Sequence, residues 1–354
     1  MRIPRPRTAV AACAAAALSS ALLAGCGSES DSSADGGSGS SESSDSEFEE
    51  VTIEHAFGET TISERPERVA TVSWGNHEVP LALGVVPVGM SEASWGDDDG
   101  DGVLPWVEDK LTELDAETPV LFDETEGLDF EAVADTAPDV ILASYSGLTQ
   151  EDYDTLSEIA DVVAFPDVAW STSLEQMIRM NSEALGMAEE GEALVEDLQQ
   201  QTTEAFEAHP ELEGTSVAFT FTDPTDLSQI GFYSDLDPRP AFLVDNGMEE
   251  SPAVAEASEG SEEFYLTVSA EEADSFEDTD LFVTYGTDDL LEQVQADPLL
   301  AEIPAIADGA VAVLPDSTPL AAAANPTPLS IPWGLEDYLA MLSDAAQNSS
   351  TAGR

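Results

Sequence analysis

The chain has 354 residues, 42% of them hydrophobic, and carries 74 acidic against 9 basic side chains for a formal net charge of -65. Such a surface repels nucleic acid and anionic lipid headgroups, which excludes a nucleic-acid partner. Apolar periodic segments are too many for an acid-rich disordered chain, and they supply one or two cores. The acidity reads as adaptation to high salt, where screening over a few ångströms removes self-repulsion. It reports habitat and says little about activity.

At the N-terminus, Arg2, Arg5 and Arg7 precede an Ala-rich apolar stretch from about Thr8 to Ala24, which ends in Leu23-Ala24-Gly25-Cys26. A basic start, an apolar segment and small residues at a cut form a secretory signal. A cysteine directly after the small residues is what a lipid-modified exported protein needs. Residues 1–25 are therefore predicted to be a signal peptide, and Cys26 the lipidated new N-terminus that holds the chain on the extracellular face of the cytoplasmic membrane. The apolar stretch is only marginally long enough to span a bilayer, which argues against a retained transmembrane helix. Cys13 leaves with the signal, so the mature chain has no disulfide and must rest on a packed core. Residues 26–50 are almost wholly Ser, Asp, Glu and Gly and read as a flexible, self-repelling tether.

Folded structure is predicted from Val51. Val51-Thr52-Ile53 and Thr60-Thr61-Ile62 suggest a hairpin. Strands are expected at Val69–Val72, Val85–Gly89, Asp139–Ala143 and Val162–Phe165, separated by helices at His77–Leu83, within Leu104–Leu114, at Phe130–Thr136 and at Gln150–Ala160. Strands alternating with helices argue a parallel sheet covered on both faces. From Ser173 to about Ala208 the pattern is helical, opening with a capping box at Ser173-Leu174-Glu175-Gln176 and broken at Gly186. Alternation then resumes. Strands are predicted at Val217–Phe221, Leu281–Thr284 and Val311–Leu314, with helices at Arg239–Asp245 and about Gly334–Ala346. The fold class is α/β: two lobes with parallel sheets, residues 51–172 and 209–346, joined by a long connecting helix within 173–208. Residues 347–354 form a polar tail expected to be disordered.

This order resembles the ferric-siderophore/cobalamin group of ABC-transporter substrate-binding proteins. Arg65-Pro66-Glu67-Arg68-Val69-Ala70 with Glu78 to Gly89 is similar to that family's opening strand, helix and second strand. Phe130 to Leu142, Asp237-Pro238-Arg239 with Leu243 to Gly247, and Asp297 to Leu314 with Trp333 to Leu342 resemble later family segments. The chain also has an internal symmetry, since Glu131 lies eight residues before Asp139 and Glu272 eight residues before Asp280, each aspartate opening an apolar strand. The resemblance implies that Glu131 and Glu272 dock onto arginines of a permease. It also implies that the chain, a monomer, works with that permease and its ATPase and takes a ferric siderophore as ligand, with no required cofactor.

In open α/β sheets, ligands bind beyond the carboxyl ends of strands, so the facing loops of two lobes would line a shared cleft. Those loops offer Trp74, Asn76, His77, Trp95, Tyr145, Trp170, Tyr233 (at the end of the segment Thr222–Tyr233), Arg239 and Tyr285. Aromatic faces suit a large, partly apolar iron chelate. Arg239 could donate to iron-coordinating oxygens, with an ion pair to Asp235 or Asp237 as its alternative use. Few basic residues disfavour an anionic catecholate and favour a neutral or cationic hydroxamate. Haem, cobalamin or a directly bound metal ion are alternative ligands, and a non-transport surface lipoprotein is an alternative class. Asp97, Asp99, Asp101, the Val103 carbonyl and Glu108 satisfy D-x-D-x-D-G-x5-E, a calcium-loop spacing, although no helix precedes it. His55, His77 and His209 are far apart. The absence of HExxH, GxSxG and a phosphate-cradling glycine loop argues against an enzyme.

Overall fold

The computed structural model describes residues 48–349. The predicted signal peptide, lipidated Cys26, most of the tether and the last residues of the tail lie outside the described residues. Strands β1 (Val51–His55) and β2 (Gly58–Ile62) form the expected antiparallel hairpin, with Val51 opposite Ile62 and His55 opposite Gly58. It is pinned to the first lobe by Thr60 Oγ1, which donates to the Val162 carbonyl at 2.6 Å.

The first lobe comprises β3 (Val69–Thr71), α1 (Glu78–Ala82), β4 (Gly89–Ser91), α2 (Pro105–Glu113), β5 (Val120–Phe122), α3 (Phe130–Asp135), β6 (Val140–Ala143), α4 (Gln150–Ser157) and β7 (Asp161–Ala164). Its sheet is wholly parallel, in the order β5-β4-β3-β6-β7. Along β6, Ile141 and Ala143 join one apolar cluster with Phe122, Val133 and Leu156. Val140 and Leu142 join another with Ile53, Ile62 and Met180. Alternate residues enter separate cores, as a sheet buried on both faces requires. The second strand begins at Gly89 rather than Val85. Pro87 has no N–H to give a ladder, and the Val85 amide turns back to the Pro80 carbonyl at 2.8 Å.

Two helices join the lobes, α5 (Leu174–Ala184) and α6 (Ala188–Glu207). Ser173 caps α5 by accepting from the Gln176 amide at 3.2 Å. The break falls at Gly186, whose φ of +65° an L side chain rarely adopts. Arg179 ties the pair together, reaching Glu175 Oε2 at 2.8 Å and Glu192 Oε1 at 2.7 Å.

The second lobe comprises β8 (Ser216–Phe221), β9 (Gln229–Tyr233), α7 (Pro238–Asp245), β10 (Glu249–Glu250), α8 (Pro252–Ser258), β11 (Tyr265–Ser269), β12 (Leu281–Gly286), α9 (Leu290–Ala296), α10 (Pro304–Asp308), β13 (Val311–Pro315), α11 (Pro319–Ala323) and α12 (Ser330–Ala346). The α/β class holds here, with one difference of detail. The sheet order is β11-β9-β8-β12-β13, with β10 also on β8, and β9 runs antiparallel to both neighbours. β9 and β11 were not anticipated as strands because Gly231 and the acidic runs beside them mask the alternation.

The lobes are stitched together by one continuous apolar cluster. Val79 and Tyr145 of the first lobe meet Ile178 and Leu198 of the connecting helices, and Phe219, Tyr285 and Leu339 of the second lobe. Among the described residues, no helix is long and apolar enough to cross a membrane.

Candidate functional site

Each lobe presents the carboxyl ends of its strands to the other. The turn after β3 carries Trp74, and its shape is forced by Ser73, which holds φ at +63°. The Glu124 carboxylate accepts from the Ser73 amide with both oxygens, at 3.1 and 3.0 Å, and burial pushes that carboxyl up. Asn76 binds the next turn. Its amide nitrogen donates to the Val72 and Tyr145 carbonyls at 2.8 and 2.9 Å, while its oxygen accepts from Ser144 Oγ and the Tyr145 amide at 3.1 Å each. Asn76 is fully buried, so it fixes the turns that bear Trp74 and Tyr145 and does not line the cleft.

After β6, the Tyr145 ring meets the Trp170 ring edge-on at 5.3 Å. Trp170 itself holds φ at +63°. Its indole lies against Gly147, where an added Cβ would come 2.2 Å from the indole nitrogen. Left-handed backbone at two residues of one site is strain that the surrounding packing must hold.

In the second lobe, Asp237 caps α7 by accepting from the Arg239 amide at 2.9 Å. The same carboxylate grips the Arg239 guanidinium in a fork, with Nε at 2.8 Å and Nη2 at 2.6 Å. Asp237 is 1% exposed and Arg239 15%. The guanidinium carbon stands 3.7 Å from the centroid of the Tyr233 ring, a cation–π contact. Burial works against the charge, but the fork with Asp237 outweighs it and holds Arg239 firmly protonated. Burial also pushes the Tyr285 phenol up to about 12, with the nearby guanidinium pulling the other way.

These groups enclose a cavity of about 450 Å³, a size suited to a small-molecule ligand. Trp74, Trp95, Tyr145 and Trp170 form one wall; Phe221, Tyr233, Asp237, Arg239, Phe264, Tyr285, Asp316, Ala322 and Asn325 form the other. The walls touch where the Trp95 ring meets Tyr285 edge-on at 5.3 Å. They also touch where Asn325 Nδ2 donates to the Tyr145 hydroxyl at 3.2 Å. Of the residues read from sequence, Trp74, Trp95, Tyr145, Trp170, Tyr233, Arg239 and Tyr285 are brought together, whereas Asn76 and His77 are not. His77 is buried on the entry to α1, and burial drives its imidazole down to about 4, so it is neutral. Trp106 is likewise a packing residue, donating its indole N–H to Glu78 Oε1 at 2.8 Å. Phe221, Phe264, Asp316 and Asn325 went unread. Phe264 and Asn325 adjoin elements that the pattern did not reveal. A larger hollow of about 880 Å³ lies between α5, α6 and α7 and shares Tyr233.

Asp97, Asp99 and Asp101 place carboxylate oxygens within 4.8 Å of one another on a loop opening directly into α2. Asp97 already accepts from the Gly100 and Gly102 amides at 2.8 and 2.7 Å. Glu108 lies outside that trio in the first turn of α2. It is exposed, and its carboxyl is pushed up by slight desolvation and by the neighbouring Asp101. Glu131 and Glu272 are both exposed. The aspartate eight residues beyond each does matching work: Asp139 accepts from the Glu67 and Arg68 amides at 2.9 Å, and Asp280 from the Ser216 amide at 3.1 Å.

The family model described as periplasmic binding protein matches residues 69–318. The chain is similar to the iron uptake ABC transporter substrate-binding protein PiaA of Streptococcus pneumoniae TIGR4. Its structure in complex with ferrichrome aligns at TM-score 0.82 and 46% identity, over 84% of this chain and 99% of that one. A second structure of that protein gives 0.78 and 46%, over 84% and 100%. A periplasmic solute binding protein from Mycobacterium smegmatis, at 24% identity and TM-score 0.67 over 84% and 99%, shares the fold. A comparison with curated proteins gives no match. Matched over most of its length and built as two facing α/β lobes around an aromatic cavity, the chain belongs to the periplasmic binding protein family.

Proposed function

We propose that this chain is the extracytoplasmic substrate-binding lipoprotein of an ABC importer, and that it captures a ferric siderophore of the neutral or cationic hydroxamate type. The observation that carries this reading is the cavity itself: four aromatic rings of one lobe face a half-buried arginine held flat by Asp237 and Tyr233. Aromatic faces take the organic arms of a chelate, and a guanidinium donates to the oxygens around its iron. The likeness to a protein solved with ferrichrome supports the same ligand class. Among the described residues, Arg239 is the only basic one in the lining, which suits a ligand without several negative charges.

Cys26 would carry the lipid, and the acidic tether would set how far the lobes range from the membrane. Glu131 and Glu272 would meet the permease. Topology favours this, since α3 and the short helix Ala270–Phe276 each run from the cleft end of their sheet back toward the start of β6 or β12. Calcium is a second, separate proposal for the Asp97–Glu108 loop, supported by the convergence of its three aspartates. Heat released on adding calcium, and lost in Asp99→Asn, would support it; no heat at millimolar calcium would refute it.

Titrating intrinsic tryptophan fluorescence with ferrichrome, a ferrioxamine, a ferric catecholate, haem and cobalamin tests the ligand class. Saturable quenching by the hydroxamates alone is expected. Binding of haem or cobalamin with none of a hydroxamate would overturn the ligand class, and binding of none would favour a non-transport surface protein.

A further inference from the structure

We propose that Asp316 makes this cleft selective for ferric chelates that carry a pendant positive charge. The inference rests on the chelate-binding reading of the same cavity and narrows it. Among the described residues, three charged side chains line the cavity: Arg239, Asp237 and Asp316. The first two cancel, because Asp237 grips the guanidinium through two hydrogen bonds. Asp316 is left over. It stands at the end of β13, where its amide donates to the Gly286 carbonyl at 3.0 Å, so the backbone that carries it is fixed beside Tyr285. Among the described residues its carboxylate forms no hydrogen bond or ion pair. The cavity thus offers, among its aromatic rings, one exposed and uncompensated negative charge.

The surroundings reinforce that sign. Segments 95–101, 221–226, 262–264 and 285–289, which bear Trp95, Phe221, Phe264 and Tyr285, contain acids and no lysine or arginine. His77, in the turn after Trp74, is neutral. An ammonium group arriving here meets a free carboxylate and aromatic faces, the two kinds of partner that a desolvating cation takes. A neutral chelate gains nothing from Asp316, and an anionic one is repelled by it.

The test compares ferrioxamine B, a linear ferric trihydroxamate with a terminal ammonium, with its N-acetylated form, which has the same chelating arms and no charge on that amine. Affinities are read by tryptophan quenching on the wild-type protein, Asp316→Asn and Asp316→Glu, at low and high salt, with circular dichroism confirming the fold. The wild type should bind the ammonium form about threefold to fivefold tighter, the range for a partly solvated ion pair, and the preference should shrink as salt rises. Asp316→Asn should abolish the preference while leaving the acetylated form within about twofold of wild type, and Asp316→Glu should keep it. Equal binding of both forms by the wild type, or equal weakening of both by Asp316→Asn, would overturn the role of Asp316 and leave chelate capture standing. No binding of either form, with haem or cobalamin bound instead, would overturn both readings.

Discussion

Glu78 is fully buried on α1, yet among the described residues it has no cationic partner to hold its charge. Its Oε1 accepts from the Trp106 indole at 2.8 Å, and its Oε2 accepts from the Leu329 amide at 3.0 Å, where the chain enters α12. One carboxyl therefore ties the first lobe to the last helix. Burial raises it from 4.5 to about 7, with those hydrogen bonds opposing the shift. Above pH 4.5 the unfolded chain releases this proton while the folded protein keeps it, so stability falls as pH rises through the window from 4.5 to about 7 and then levels off. At 1.36 kcal/mol per unit, the loss is about 3 kcal/mol. Glu78→Gln cannot ionise, so it escapes that loss, at a pH-independent cost of about 1–2 kcal/mol for turning one acceptor into a donor near Leu329. Denaturant unfolding at fixed salt and at pH 5, 6, 7 and 8 reads the difference between variant and wild type, in which the titration of all other carboxylates cancels. The variant should gain steadily on the wild type up to pH 7. A difference that stays flat with pH would refute the reasoning.

Gly147→Ala should drive the Trp170 ring from its seat and weaken ligand affinity about tenfold, the loss of one aromatic contact, while near-ultraviolet circular dichroism shows the displaced indole. Asp237→Asn keeps a capping side chain on α7 but leaves the Arg239 charge unpaired, so thermal unfolding should report a loss of about 3 kcal/mol. Retained stability would mean that solvent reaches the guanidinium. Glu131→Ala and Glu272→Ala should leave folding and ligand titrations unchanged and lower iron-chelate uptake in whole cells, most in the double variant. Normal uptake by the double variant would remove them from the permease contact.

Much of the first lobe was legible because its strands are short, continuous apolar runs between helices, and Val140–Ala143 declares a doubly buried strand unaided. The second lobe was less so. β9 and β11 pair antiparallel at the sheet edge, and their signal is broken by Gly231, which Tyr265 packs against, and by exposed Thr267. In the site, rings on predicted loops were readable because a tryptophan beyond a strand end has few other uses. Asn76 and His77 sit on the same turn, yet sequence position does not reveal which side a side chain faces. Asn76 turned inward to hold two loops, and His77 turned into the core. Asp237 was legible only as an alternative, because a capping residue and an ion-pair partner look alike until the helix start is fixed. Asp316 could not be singled out among so many acids without knowing which one enters the cavity.

The most direct test of chelate capture is a crystal structure grown with ferrichrome, with the iron located by its anomalous scattering. The account predicts one iron between the Trp74, Trp95 and Trp170 rings and the Arg239 guanidinium. Iron in the larger hollow between α5, α6 and α7, or no iron under saturating ligand, would contradict it.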